Sequence, residues 1–175
     1  MAEWSTTEPS NVVAWSSYTD GDVVYQYNEG SYGYRYYSRC AITRLKDNKV
    51  CVCVQVLTSN WQGYAAGQAI DILAWANDGS GSISSGSTSV VVGDGFTVKG
   101  TWYCTLSALR AGTTITVGGG QSAGQSPVTL TVPEAVGNMV FAKVGSEWKQ
   151  GTPFVKVNGE WKDGLTKMKV DGEWK

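Results

Sequence analysis

Between Val50 and Val56, valine occupies every second position, and Cys51, Cys53 and Gln55 fill the alternate ones. A two-residue period is that of a β-strand, and a strand apolar on both faces belongs at the centre of a sheet. The preceding segment, GSYGYRYYSRCAITRL (Gly30 to Leu45), alternates in the same way and sets Tyr32, Tyr34 and Tyr36 on one face. Lys46-Asp47-Asn48-Lys49 joins the two segments as a hairpin turn. Upstream, NVVAW and DVVYQY read as short strands around a turn at Asp20-Gly21. Downstream, AIDILAWA, TSVVVG, GFTVKGTWYCTLSA, TTITVGG and VTLTVPEA supply further strands.

The Gly/Ser stretch NDGSGSISSGS reads as a mobile surface loop because strand patterns flank it. GGGQSAGQS (Gly118 to Ser126) reads as a flexible loop, since no helix pattern follows it. SALRAG offers at most a turn or two of helix. Roughly eight or nine short strands with turn signals about every 8–12 residues make an all-β chain, an antiparallel β-sandwich of immunoglobulin-like or jelly-roll type.

Past Pro133 the pattern changes. FAKVGSEWKQGTP, FVKVNGEWKDGLT and KMKVDGEWK align without a gap, with Trp148, Trp161 and Trp174 at a period of 13 and Lys143, Lys156 and Lys169 in step. The sequence thus divides into a sandwich domain with a polar N-terminal arm (1–137) and a small array of three β-hairpin repeats (138–175). The turn pairs Gly145-Ser146, Asn158-Gly159 and Asp171-Gly172 are two-residue hairpin signals of types I′ and II′. Such turns place Val157 opposite Glu160 and Lys156 opposite Trp161, with Phe154, Lys156 and Trp161 on one face. A Lys stem beside an indole adds about 0.5–1 kcal/mol of cation–π attraction at an exposed site. A hairpin this small is marginal alone. The three are therefore expected to stack on each other, on the sandwich or on symmetry mates, and the last leaves an end for another subunit to finish.

Composition narrows the function. The net charge is −1 and charged residues are 17%, so nothing marks nucleic acid or an anionic membrane as a partner. No apolar run is long enough to span a bilayer, and MAEWSTTEPS lacks the basic and apolar regions of a secretory signal. There is no histidine, which removes the commonest general base and metal ligand. The cysteines, Cys40, Cys51, Cys53 and Cys104, read as small buried hydrophobes, with a Cys53–Cys104 bridge across two sheets as the alternative. The scattered aspartates sit mostly beside glycine in turns, where their carboxylates satisfy backbone groups. The expectation is no enzyme, no cofactor and no metal site.

The repeats, as Phe-Val-Lys-Val-Asn-Gly-Glu-Trp-Lys, resemble the C-terminal repeats of structural proteins of tailed bacteriophages, especially tail, fibre and head-decoration proteins. The resemblance covers residues 141–175. Gly-Ser-Tyr-Gly-Tyr-Arg-Tyr (Gly30 to Tyr36) resembles the opening of β-sandwich domains in phage minor structural proteins. It implies a non-catalytic virion protein, made in the host bacterial cytoplasm. Its partners would be other virion proteins and its own copies, three-fold symmetry included.

Lys143, Trp148, Phe154, Lys156, Trp161, Lys169 and Trp174 would form the assembly or binding interface. Choline- and wall-binding repeats are similar hairpins, but those cage a ligand with several aromatics, whereas each copy here has one Trp. The competing class is a carbohydrate- or receptor-binding module for the host cell surface. Its stacking platforms would be Tyr32, Tyr34 and Tyr36 or the repeat tryptophans.

Overall fold

The computed structural model describes residues 3–28, 32–61, 68–77, 81–107, 109–135, 140–144, 147–151, 154–163, 169–170 and 173–174. Every regular element among them is a strand. Two compact units are present, Met1–Pro133 and Glu134–Lys175, where the sequence reading divided the chain after Gly137.

In the first unit the longest strands are β4 (Tyr32–Arg44) and β5 (Val50–Trp61), paired from Gly33↔Trp61 to Arg44↔Val50. Their connection closes with Asn48 N–H donating to Leu45 O and Leu45 N–H donating to Lys49 O. Asn48 has φ 64°, a left-handed conformation that Asn tolerates better than most residues. Arg44, only 2% exposed, donates to Asn48 O and to Pro133 O, so the turn is tied to the end of the unit.

The other long strands are β6 (Ala69–Asn77), β9 (Thr97–Leu106) and β10 (Thr114–Gly120). Shorter ones are β1 (Glu3–Ser5), β2 (Thr19–Asp20), β3 (Val24–Asn28), β7 (Ser82–Ser84), β8 (Thr88–Val91) and β11 (Val128–Thr131). One sheet has the order β1-β9-β5-β4-β2, with β3 also on β4. The second has β11-β10-β6-β7, with β8 also on β6. All pairings are antiparallel, and β5 is central, as its two apolar faces require.

The order β4-β5-β9 against β6-β10-β11, with sheet changes after β5, β8 and β9, is that of strands A-B-E and C-F-G in immunoglobulin-type sandwiches. Between the sheets, Val50, Val52, Val54 and Val56 meet Ile72, Ile115 and Val117 in one buried cluster. These residues carry the fold, since a fully buried aliphatic side chain contributes about 1.5–3 kcal/mol.

Three loop readings are corrected. Asp20-Gly21 is not a hairpin turn: β2 and β3 follow each other along the same strand, with a one-residue offset between Asp20↔Arg39 and Val24↔Tyr36. The Gly/Ser stretch holds β7, which pairs Trp75↔Ser84 and Ala76↔Ile83, because backbone hydrogen bonds outweigh its weak side-chain pattern. Gly118–Gly120 are the buried end of β10 rather than a flexible loop. A Cβ on Gly119 would lie 2.4 Å from Val56 Cγ2, so the missing side chain is what lets the sheets approach there.

The N-terminal arm is part of the first sheet. β1 pairs with β9 at one edge, and β2 and β3 pair with β4 at the other. The chain between crosses the outer face. Ala14 N–H donates to Thr43 Oγ1, the Trp15 ring lies 5.9 Å from that of Tyr103, and Tyr18 Oη is 3.6 Å from Cys53 Sγ.

The second unit contains three antiparallel pairs: β12 (Val140–Val144) with β13 (Glu147–Gly151), β14 (Phe154–Val157) with β15 (Glu160–Asp163), and β16 (Lys169–Val170) with β17 (Glu173–Trp174).

Candidate functional site

The three hairpins share one register. Lys143 is opposite Trp148, Lys156 opposite Trp161 and Lys169 opposite Trp174. Next to the turns, Val144, Val157 and Val170 stand opposite Glu147, Glu160 and Glu173. Phe154 pairs with Asp163 at the open end of the middle hairpin. Asn158 (φ 52°) and Gly159 (φ 88°) are both left-handed, the requirement of a type I′ turn. Lys156 and Glu160 are exposed. The turns at Gly145-Ser146 and Asp171-Gly172 lie outside the described residues.

The tyrosine platform is corrected. Tyr36 is fully buried and Tyr34 is 6% exposed, so neither offers a ring face to a sugar. Both point into the sandwich, where their rings stack at 6.3 Å. Tyr36 Oη donates to Gln125 Oε1 (2.6 Å) and accepts from Gln26 Nε2 (3.3 Å). The side chain of Tyr32 lies outside what the structure describes.

On the opposite face of the first sheet, aromatic side chains do reach the surface. Tyr25, 44% exposed, packs edge-on against Trp61 at 5.1 Å, and Tyr37 packs edge-on against Phe96 at 4.9 Å. The Arg35 guanidinium lies 4.7 Å above the Phe96 ring. Arg39 pairs with Asp20 at 2.8 Å and donates to Tyr37 Oη. Sequence reading missed this group because it followed the even-numbered tyrosines of β4, which face inward. Strand alternation puts Arg35 and Tyr37 on the outer side with Trp61.

All four cysteines are free and fully buried. The alternative Cys53–Cys104 bridge is excluded. β5 and β9 are neighbours in one sheet, Cys104 is opposite Val52, and Cys53 is opposite Tyr103, so the two thiols leave opposite faces. Burial pushes the Cys40 and Cys51 thiols from 9.0 up to about 12 and raises that of Cys53. Burial, and then the contact with Cys53, holds the Tyr18 hydroxyl well above the ordinary tyrosine range. Neutral thiols of this kind are poor nucleophiles.

A groove at one edge of the sandwich was not anticipated. Its walls are Trp4, Ser5 and Thr6 from β1 and its exit, Trp102 from β9, and the Ser85–Thr88 connection between β7 and β8. Both tryptophans were legible only as isolated aromatics, and the pairing Trp4↔Cys104 is what brings Trp4 to the face that Trp102 shares. Among the described residues, no three His, Cys, Asp or Glu side chains are placed to hold a metal ion. No helix of the described residues is long and apolar enough to cross a membrane. No family model, curated protein or solved structure matches the chain.

Proposed function

We propose that this chain is a non-catalytic structural protein of a bacteriophage particle, of tail, fibre or capsid-decoration type. Its sandwich is the displayed body and its Lys-Trp hairpins make the assembly contact. The observation that carries the reading is the common register of the hairpins: three times, at a period of 13, a lysine stands opposite a tryptophan one pair from the turn. One such hairpin buries too little to be stable alone. A repeated Trp presented in one register is the kind of anchor that protein interfaces use, because a large ring buries much area at little entropic cost. The resemblance of residues 141–175 to phage C-terminal repeats supplies the biological setting. The partners are further copies of the chain, a trimer among the arrangements that suit three repeats, and neighbouring virion proteins.

The test is to end the chain at Gly137 and compare it with the full chain by light scattering and by incorporation into particles. Loss of the oligomer, of incorporation or of both is expected. An unchanged mass together with unchanged incorporation overturns the assembly role of the repeats. Host-surface recognition by the repeat tryptophans is the competing outcome, and saturable cell-wall binding lost in Trp161→Ala with assembly intact would select it.

A further inference from the structure

We infer that the outer face of the first sheet binds a carboxylate-bearing sugar chain, Arg35 taking the carboxylate and Tyr25 and Trp61 taking the ring beside it. β4 carries three arginines, and two of them are satisfied within the chain. Arg39 pairs with Asp20, and Arg44 donates to Asn48 O and to Pro133 O. Arg35 is the exception. Its guanidinium lies 4.7 Å above the Phe96 ring, and among the described residues it has neither a carboxylate nor a hydrogen-bond acceptor. Only its Nε is enclosed, and the two terminal nitrogens of this half-buried side chain reach solvent. The described carboxylates at this end of the sheet are already engaged, Asp20 by Arg39 and Asp94 by Asn60 Nδ2. A guanidinium held on an aromatic face offers parallel N–H donors, which a carboxylate accepts bidentately.

The rings beside it are accessible. Tyr25 stands next to Arg35 across the β3–β4 pair and is 44% exposed. Trp61 is half-buried and lies over Gly33, where a Cβ would come 3.2 Å from the indole. The two rings meet edge-on at 5.1 Å, which fixes their relative orientation. Such rings stack on the C–H face of a sugar. Strand alternation puts Tyr37 and Arg39 on the same face, Arg39 being four residues, or about 13 Å, along the strand from Arg35. That span is longer than one sugar ring, so the face suits a chain of two or three. A simple acid would use the arginine and leave the rings bare, and a neutral sugar would do the reverse. Every residue of the site belongs to the sandwich unit, so this site and the assembly reading stand or fall separately.

The experiment uses the full chain with labelled indole N–H groups, the Trp61 signal being assigned with Trp61→Phe. It is titrated at millimolar concentrations with trigalacturonate and trimannuronate, with their methyl esters, and separately with triglutamate. A saturable shift of the Trp61 signal with at least one acidic sugar is expected. Its ester, which keeps the rings and loses the charge, should bind about tenfold or more weakly. Arg35→Gln should abolish that preference, and Arg35→Lys, which keeps the charge without the fork, should retain part of it. Tyr25→Ala, at an exposed position, should weaken the acid and carries the test if Arg35→Gln disturbs the remaining spectrum. The site is refuted if neither acidic sugar saturates, if the esters bind as well as the acids, or if binding is unchanged in Arg35→Gln or Tyr25→Ala. Equal or tighter binding of triglutamate also overturns it, in favour of an acidic protein segment as the occupant.

Discussion

Ser126, in the loop after β10, closes on Ser38 of β4 from the other sheet: Ser38 N–H donates to Ser126 Oγ at 2.8 Å, and Ser38 Oγ donates to Ser126 O at 2.5 Å. Ser126 Oγ also donates to Asp22 O at 2.9 Å, so one hydroxyl ties the loop to β4 and to the segment joining β2 and β3. Both serines are buried. Ser126→Ala leaves the Ser38 N–H without its acceptor. The expected loss is about 1–3 kcal/mol, or some 2–4 °C in Tm for each kcal/mol at this size. Thermal unfolding by circular dichroism measures it, and a Tm within about a degree of the parent would mean that water replaces the hydroxyl.

Gly119→Ala tests the closeness of the two sheets. The new methyl would meet Val56 Cγ2 at 2.4 Å and Leu73 O at 3.0 Å, and the second contact is with backbone. Overpacking of this kind costs about 1–3 kcal/mol. Urea unfolding should show a lower midpoint with an unchanged slope. Val56→Ala in the same chain should recover part of the loss, because it removes the clashing methyl.

The buried thiols predict weakness in alkali. Cys40 and Cys51 ionise at about 12 when folded against 9.0 ordinarily, because burial disfavours the thiolate. With the folded value raised, the unfolded chain loses its protons first. The stabilisation is complete below pH 9.0 and is lost as pH rises from there towards about 12. Each such thiol steepens the fall by up to about 1.4 kcal/mol per pH unit in that window. Stability curves at rising pH check this, and Cys51→Ala should flatten the slope. In the native protein at neutral pH, all four cysteines should react with a thiol reagent only as fast as the fold opens.

In the middle hairpin, Gly159→Ala puts a side chain where φ is 88°. A left-handed non-glycine residue costs about 1 kcal/mol, enough to matter in a two-stranded hairpin of this size. Amide exchange at Val157 and Glu160 should speed up while the sandwich amides stay protected. Equal protection in both would show that contacts outside the hairpin, rather than its turn, hold it closed.

The sequence by itself determined what depends on neighbours along the chain. The two-residue period of β4 and β5 fixed their faces and the central place of β5. The Asn-Gly turn, with its left-handed requirement, fixed the pairing of Lys156 with Trp161 down to the residue. Both follow from local stereochemistry. Tertiary structure decided the rest.

Tyr34 and Tyr36 look like any alternating tyrosines, and only the second sheet laid over them makes them core. Gly118–Gly120 resemble a linker until Tyr36, Trp75 and Val56 are seen to fill the space their missing side chains leave. Trp4 and Trp102 lie far apart in sequence and line one groove because β1 pairs with the edge of β9. Whether a strand face is buried, and which distant residues share it, is set by non-local packing, and no local pattern encodes that.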